Sequence, residues 1–133
     1  MTTSKVQWLP MDRNNGKWTE ARFHSFVMSA LRKASQRFPA KHESKKAARV
    51  KRGVYMCAGY NCDPHETPAK HTHIDHIEPV VPLTGFTSWD DIINRLFCNS
   101  DGLQVLCSEC HTAKTKEERR IRKEHKDGLK KTR

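Results

Sequence analysis

Two short cysteine loops, Cys57-Ala-Gly-Tyr-Asn-Cys62 and Cys107-Ser-Glu-Cys110, lie about forty-five residues apart in the chain. Each loop is short enough to turn two thiolates toward one side of a tetrahedron. The pattern therefore predicts a single closed zinc site on Cys57, Cys62, Cys107 and Cys110 that ties the two ends of the stretch together. A closed site spends its ligands on structure. The segment His71-Thr-His-Ile-Asp-His-Ile-Glu-Pro79 between the loops, and His111 directly after the second, remain for other chemistry.

Within that surplus, Asp75 and His76 are adjacent, and His111 follows the second loop by one residue. If the zinc site pins that turn to the rest of the stretch, His111 is held near Asp75 despite 36 residues of separation. A carboxylate and a neutral imidazole make an open site for Mg²⁺, Mn²⁺ or another divalent cation, with waters and a substrate phosphate completing the shell. An unligated imidazole is left beside it. Such a cation acts as a Lewis acid on a phosphodiester. His76, with an ordinary pKa of about 6.5, can take the proton of the attacking water, which contributes roughly 10²- to 10⁴-fold. The products would carry 5′-phosphate and 3′-OH ends.

The elements that must position these residues can be read along the chain. Residues 1–17 lack periodicity and form an arm in which Trp8 either packs on the body or stacks on a base. Phe23, Phe26, Val27, Ala30, Leu31, Ala34 and Phe38 recur at steps of three and four, which predicts an amphipathic helix capped by Thr19 and stopped by Pro39. A second helix is expected over Ser44–Arg52, ended by Gly53. After a short extended piece at Val54–Met56 and a Pro64/Pro68 loop, His71–Ile77 reads as a strand with β-branched Thr72, Ile74 and Ile77. Ser88-Trp-Asp-Asp91 is a capping box that opens a short helix through Phe97. Leu103–Leu106 reads as a second strand. From Ser108 a helix runs to about Asp127, with Gly128 past its end.

Composition sets the outer limits. The 133 residues are 35% hydrophobic and 8% aromatic, enough for one modest core that a metal staple would support. The early residues carry no apolar run of signal-peptide type, and nothing approaches the ~20 apolar residues of a membrane span. The thiols are accordingly expected to be reduced and the protein cytoplasmic. The net charge of +10 is unevenly spread: +10 over residues 1–53, −6 over 54–113 and +6 over 114–133. An acidic, ligand-rich centre between basic flanks suits a protein that grips a polyphosphate and brings a cation to it, with DNA as the partner. Lys45, Lys46, Arg49, Lys51 and Arg52 form the densest cluster for phosphate contact, and Lys114 is placed beside the scissile bond. The alternative is a merely solvated basic face.

The chain resembles the HNH endonucleases, a branch of the ββα-metal (His-Me finger) nucleases, and especially the small ones of bacteriophages. Asp75-His-Ile-Glu-Pro79 is similar to the family's DHI-x-P segment, and Leu103-Gln-Val-Leu-Cys-Ser-Glu-Cys-His111-Thr-Ala-Lys114-Thr115 to its LQ-x-LC-x-x-CH-x-x-KT segment. The resemblance covers about residues 54–118. It implies an α+β fold with a ββα-metal core stapled by a four-cysteine zinc site, and added N- and C-terminal helices. It divides the chain into a basic extension (1–53), the nuclease core (54–118) and a basic C-terminal helix and tail (119–133). It further implies metal-dependent cleavage of duplex DNA, by nicking or cutting, with His76 as general base and Asp75 and His111 on the cation. A phage enzyme of this kind would act in the host cytoplasm, as monomer or homodimer. One departure is present: the family's central Asn falls at Gly102, and Asn99 or Asp101 would have to substitute.

The remaining residues carry less. His73 shares a strand face with Asp75 and is an extra ligand or an exposed histidine. His71 and His65 are weaker candidates still. Cys98 is a spare thiol of the small apolar kind. Arg119, Arg120, Arg122 and Lys123 either meet phosphates or pair with Glu117, Glu118 and Glu124. The competing functional reading is a non-catalytic zinc-stapled module that binds nucleic acid through the same basic flanks.

Overall fold

A computed structural model describes residues 9–131. They form a mixed α and β chain with four α-helices and two small antiparallel sheets. No helix among the described residues is long and apolar enough to cross a membrane. Trp8 lies outside the described residues. The chain divides into two compact units between Arg37 and Phe38, earlier than the boundary after Gly53 that composition suggests.

The first unit is built on α1 (Glu20–Ser35), whose first turn is capped as expected: the Thr19 hydroxyl accepts the Arg22 N–H at 3.2 Å. The helix stops three residues short of Phe38. Its buried side chains are Met28 and Ser35, whereas Phe26 is 57% exposed, edge-on to Trp18. Ser35 can be buried because its hydroxyl donates back to the Arg32 carbonyl at 2.7 Å. Periodicity counts phenylalanine and alanine and misses this satisfied serine.

The second unit begins with α2 (Pro39–Ala48). Pro39 starts this helix instead of only ending the previous one, since a residue at the first helical position has no use for an N–H. The helix expected over Ser44–Arg52 is thus displaced. Arg49–Lys51 forms β1, which turns through Arg52-Gly53 into β2 (Val54–Cys57). Gly53 supplies the left-handed φ of +76° that the tight turn requires. Arg49, Lys51 and Arg52 consequently sit on a hairpin and not on a helix.

β3 (His65–Pro68), read from sequence as loop because of its prolines, pairs with β2 and completes the first sheet in the order β1-β2-β3. Pro64 precedes the strand and Pro68 ends it on a sheet edge, where a missing donor costs little. The register sets Cys57 directly opposite His65.

The second sheet pairs β4 (Thr72–His76) with β5 (Leu103–Cys107), setting Asp75 opposite Gln104 and His76 opposite Leu103. Between them α3 (Trp89–Leu96) starts where expected, with Ser88 Oγ accepting the Asp91 N–H at 3.1 Å. The Asp91 carboxylate accepts from Thr87 and Arg95, which hold it below its usual pKa. α4 (Ser108–Lys131) continues through Gly128, which was expected to lie past its end. A helical glycine costs about 1 kcal/mol relative to alanine, a penalty and not a stop. Ile92, Leu96, Leu103, Val105 and Leu106 are buried, and α2 packs on β5 and β2.

Candidate metal centres

β2 and β3 deliver Cys57 and His65, and the junction of β5 with α4 delivers Cys107 and Cys110. The ligand atoms of these four residues all lie within 4.8 Å of one another, close enough to hold one metal ion. His65 is the member that sequence reasoning undervalues. Its signal is the spacing that pairs it with Cys57, visible only once the prolines are placed at a strand's ends. Cys62, expected as the fourth ligand, is exposed and lies outside this mutual set, although its sulfur is 3.7 Å from that of Cys110.

The cluster's electrostatics call for a cation. Burial opposes ionisation of Cys107, but N–H and side-chain hydrogen bonds from Cys110, His65 and Cys57 outweigh it and bring the thiol down to about 7. Cys110 receives a favourable backbone hydrogen bond from Tyr60, yet desolvation and the neighbouring sulfurs push it up to about 12. Thiols crowded into one small volume cannot all ionise unless positive charge enters with them. Backbone N–H groups already point at the sulfurs: Gly59 and Cys107 donate to Cys57 Sγ at 3.3 and 3.2 Å, and Cys110 donates to Cys107 Sγ at 3.4 Å. No disulfide is present among the described residues, and all five cysteines are free.

A second constellation sits on the face of β4 that meets α4. Asp75 Oδ1 is 4.0 Å from His111 Nε2. Two ligands about 2.1 Å from one octahedral ion stand roughly 3 to 4.2 Å apart, so this pair fits a shared divalent cation. The other carboxylate oxygen, Oδ2, accepts from Gln104 Nε2 at 2.9 Å and from Lys114 Nζ at 3.0 Å. Gln104 follows from the cross-strand register with Asp75 and has no role in the sequence reading.

Lys114 does not lie where a phosphate contact was expected. It is 8% exposed, and its ammonium is shared by Asp75, the His76 carbonyl and Glu118. That shared pairing leaves one net negative charge on the trio of Asp75, Lys114 and Glu118. His73 stacks on His111, with centroids 4.8 Å apart and planes within 15°. The Ser108 hydroxyl donates to the His71 carbonyl at 3.4 Å and so accepts from His73 Nε2 at 3.1 Å.

His76 Nε2 lies 3.0 Å from the Leu96 carbonyl at the end of α3. A carbonyl only accepts, so Nε2 carries the proton and Nδ1 the lone pair, the tautomer a general base needs. Neither Asn99 nor Asp101 makes that contact; a main-chain oxygen does. The Asn99 carbonyl accepts from Gly102 N, and Asp101 lines a cavity of about 410 Å³ with Ile77, Asn94 and Gly102.

Gly102 itself has a steric reason. A Cβ there would stand 2.9 Å from Cys98 Sγ and 3.3 Å from its Cβ, so any side chain at this position must displace the Cys98 thiol. Gly102→Ala should lower the melting temperature, with an expected cost of about 1–3 kcal/mol for overpacking. Adding Cys98→Ala should recover most of that loss, a coupling measurable by a double-mutant cycle of chemical denaturation.

No family model, curated protein or solved structure matches the chain. The arrangement of side chains is therefore what supports a functional reading. Among the other expected contacts, Arg120 pairs with Glu117 and Glu124, and Arg122 donates to the Val81 carbonyl at 2.8 Å. Both side chains therefore have partners within the protein. Lys45 lies over the Tyr55 ring, 5.3 Å from its centroid, with Arg49 opposite Tyr55 in the strand register.

Proposed function

We propose that this chain is a metal-dependent DNA endonuclease of the HNH type, stapled by a structural zinc ion on the cysteine-rich centre. The observation that carries this reading is the meeting of Asp75 with His111 across 36 residues; His76, the next residue after Asp75 in the chain, has its tautomer fixed by the Leu96 carbonyl. A divalent cation on Asp75 and His111 would supply Lewis-acid stabilisation to the phosphate oxygens. His76 Nδ1 takes the proton of the attacking water, and the Leu96 carbonyl steadies the imidazolium that results. Gln104 and Lys114 hold Asp75 by Oδ2 and keep Oδ1 turned toward His111.

Supercoiled plasmid incubated with the protein and Mg²⁺ or Mn²⁺ should be converted to nicked or linear form, with 5′-phosphate ends on the product. Wild-type protein that binds DNA but leaves the plasmid supercoiled with every divalent metal would instead indicate a zinc-stapled binding module.

The basic surface for the phosphate backbone is the end of α2 with Lys45 and Lys46, together with the hairpin bearing Arg49, Lys51 and Arg52. Replacing these five with neutral residues should flatten the plot of log affinity against log salt by about 0.9 for each phosphate contact removed. Fluorescence anisotropy titrations across a salt series give that slope directly, and an unchanged slope would move the DNA to another face.

A further inference from the structure

Five donors crowd the cysteine-rich centre, and a tetrahedral ion takes four. We infer that zinc is held by Cys57, His65, Cys107 and Cys110, and that Cys62 is an accessible thiol at the edge of the centre, open to electrophiles without loss of the metal. Pair distances alone do not choose. At Zn–S of about 2.3 Å and Zn–N of about 2.05 Å, ligand atoms stand roughly 3.8 Å apart for two sulfurs and 3.6 Å for sulfur and nitrogen. Cys62 to Cys110 at 3.7 Å and His65 to Cys107 at 3.4 Å both come close to those values.

Three other observations do choose. His65 Nε2 is near all three remaining sulfurs at once, whereas Cys62 is outside the mutual set. His65 is the cross-strand partner of Cys57, so the pleat sends both side chains to one face of the sheet. Cys62 belongs to the loop between those strands and has no such cross-strand partner in the register. Finally, His65 Nδ1 lies 3.1 Å from the Asp63 carbonyl, which only accepts. The proton is thereby fixed on Nδ1 and the lone pair on Nε2, facing the sulfurs. A ring that donates its outer N–H to a carbonyl and turns the other nitrogen inward is the usual arrangement of a metal-bound histidine.

The ligand set changes the chemistry of the centre. Three thiolates and a neutral imidazole leave one net negative charge on the zinc complex, where four thiolates would leave two. Cys62, not needed for charge or shape, keeps its nucleophilicity. With iodoacetamide its sulfur displaces iodide to form the thioether, and the thiol proton passes to solvent.

This inference rests on the zinc reading above and is independent of DNA cleavage. The test uses the full chain loaded with Zn²⁺ or Co²⁺, comparing wild type, Cys62→Ser and His65→Ala. Cys62→Ser should keep one metal per chain and undiminished thiolate-to-cobalt absorption, while His65→Ala should lose metal or change the cobalt spectrum. Wild-type protein carrying zinc should be alkylated at Cys62, by peptide mapping, with its zinc retained. This arm stands even if His65→Ala fails to fold. The ligand set is overturned if Cys62→Ser loses metal or about a quarter of that absorption, if His65→Ala leaves the cobalt spectrum unchanged, or if alkylation of Cys62 releases zinc. Wild type that binds no zinc at all would defeat the zinc reading itself.

Discussion

His76→Ala should lose metal-dependent cleavage of supercoiled plasmid by roughly 10²- to 10⁴-fold while its affinity for DNA stays at the wild-type value. The ring is held by Leu96 at Nε2, and removing it takes away a proton acceptor without touching the basic surface. The comparison that gives this result meaning is Asp75→Asn. A residue on the cation loses activity through weakened metal binding, so raising Mg²⁺ or Mn²⁺ should restore part of the rate. No concentration of metal should restore His76→Ala. If both variants respond alike to metal, the division of labour between them is wrong. If His76→Ala cleaves as fast as wild type, the general base lies elsewhere.

Much of this site is legible in the sequence, because its members advertise themselves by residue type and close spacing. Asp75-His76 and Cys107-Ser-Glu-Cys110-His111 are local words, and the two strands that carry them fall within one residue of expectation at either end. What escapes is everything that depends on partners distant in the chain. His65 gains its meaning from Cys57 across a strand pair that Pro64 and Pro68 disguise. Gln104 gains its role only when the register sets it opposite Asp75. Lys114 carries a charge that sequence assigns to solvent or phosphate, but its position one turn beyond His111 turns it inward to a carboxylate. Pro39 and Gly128 show that boundary signals cut both ways: proline suits the first helical position as well as the stop, and a glycine near a helix end is a penalty and not a terminator.

At position 102 the resemblance leaves a gap where an asparagine was expected, and the physical answer is an exchange of parts. The Leu96 carbonyl orients His76, and the turn at Ser100–Gly102 can then close against Cys98 with no side chain in the way. A main-chain acceptor does this work without the rotamer freedom of an amide side chain. Asparagine at 102 is therefore expected to cost packing, read as a lower melting temperature.

Cys107→Ser should unfold the unit from Phe38 onward, and not merely inactivate it. Cys107 ends β5 where α4 begins, its N–H bonds Cys57 Sγ, and its sulfur meets both His65 and Cys110. Structural zinc contributes on the order of 10–16 kcal/mol in small domains, comparable to or larger than a domain's total stability of about 5–15 kcal/mol, so loss of the ion is expected to unfold it. Circular dichroism melts should show a cooperative transition for zinc-loaded wild type and none for the variant. Wild type stripped by a chelator should behave like the variant and recover on adding Zn²⁺. The pH dependence has a defined sign. The donors around Cys107 favour its thiolate, the form that zinc binds, so the staple's contribution falls as pH is lowered. Protons also compete with metal for every ligand, which adds to the loss in the same direction. A Cys107→Ser protein with an unaltered melt and full zinc content would remove the staple from the fold, and with it the means by which His111 is carried to Asp75.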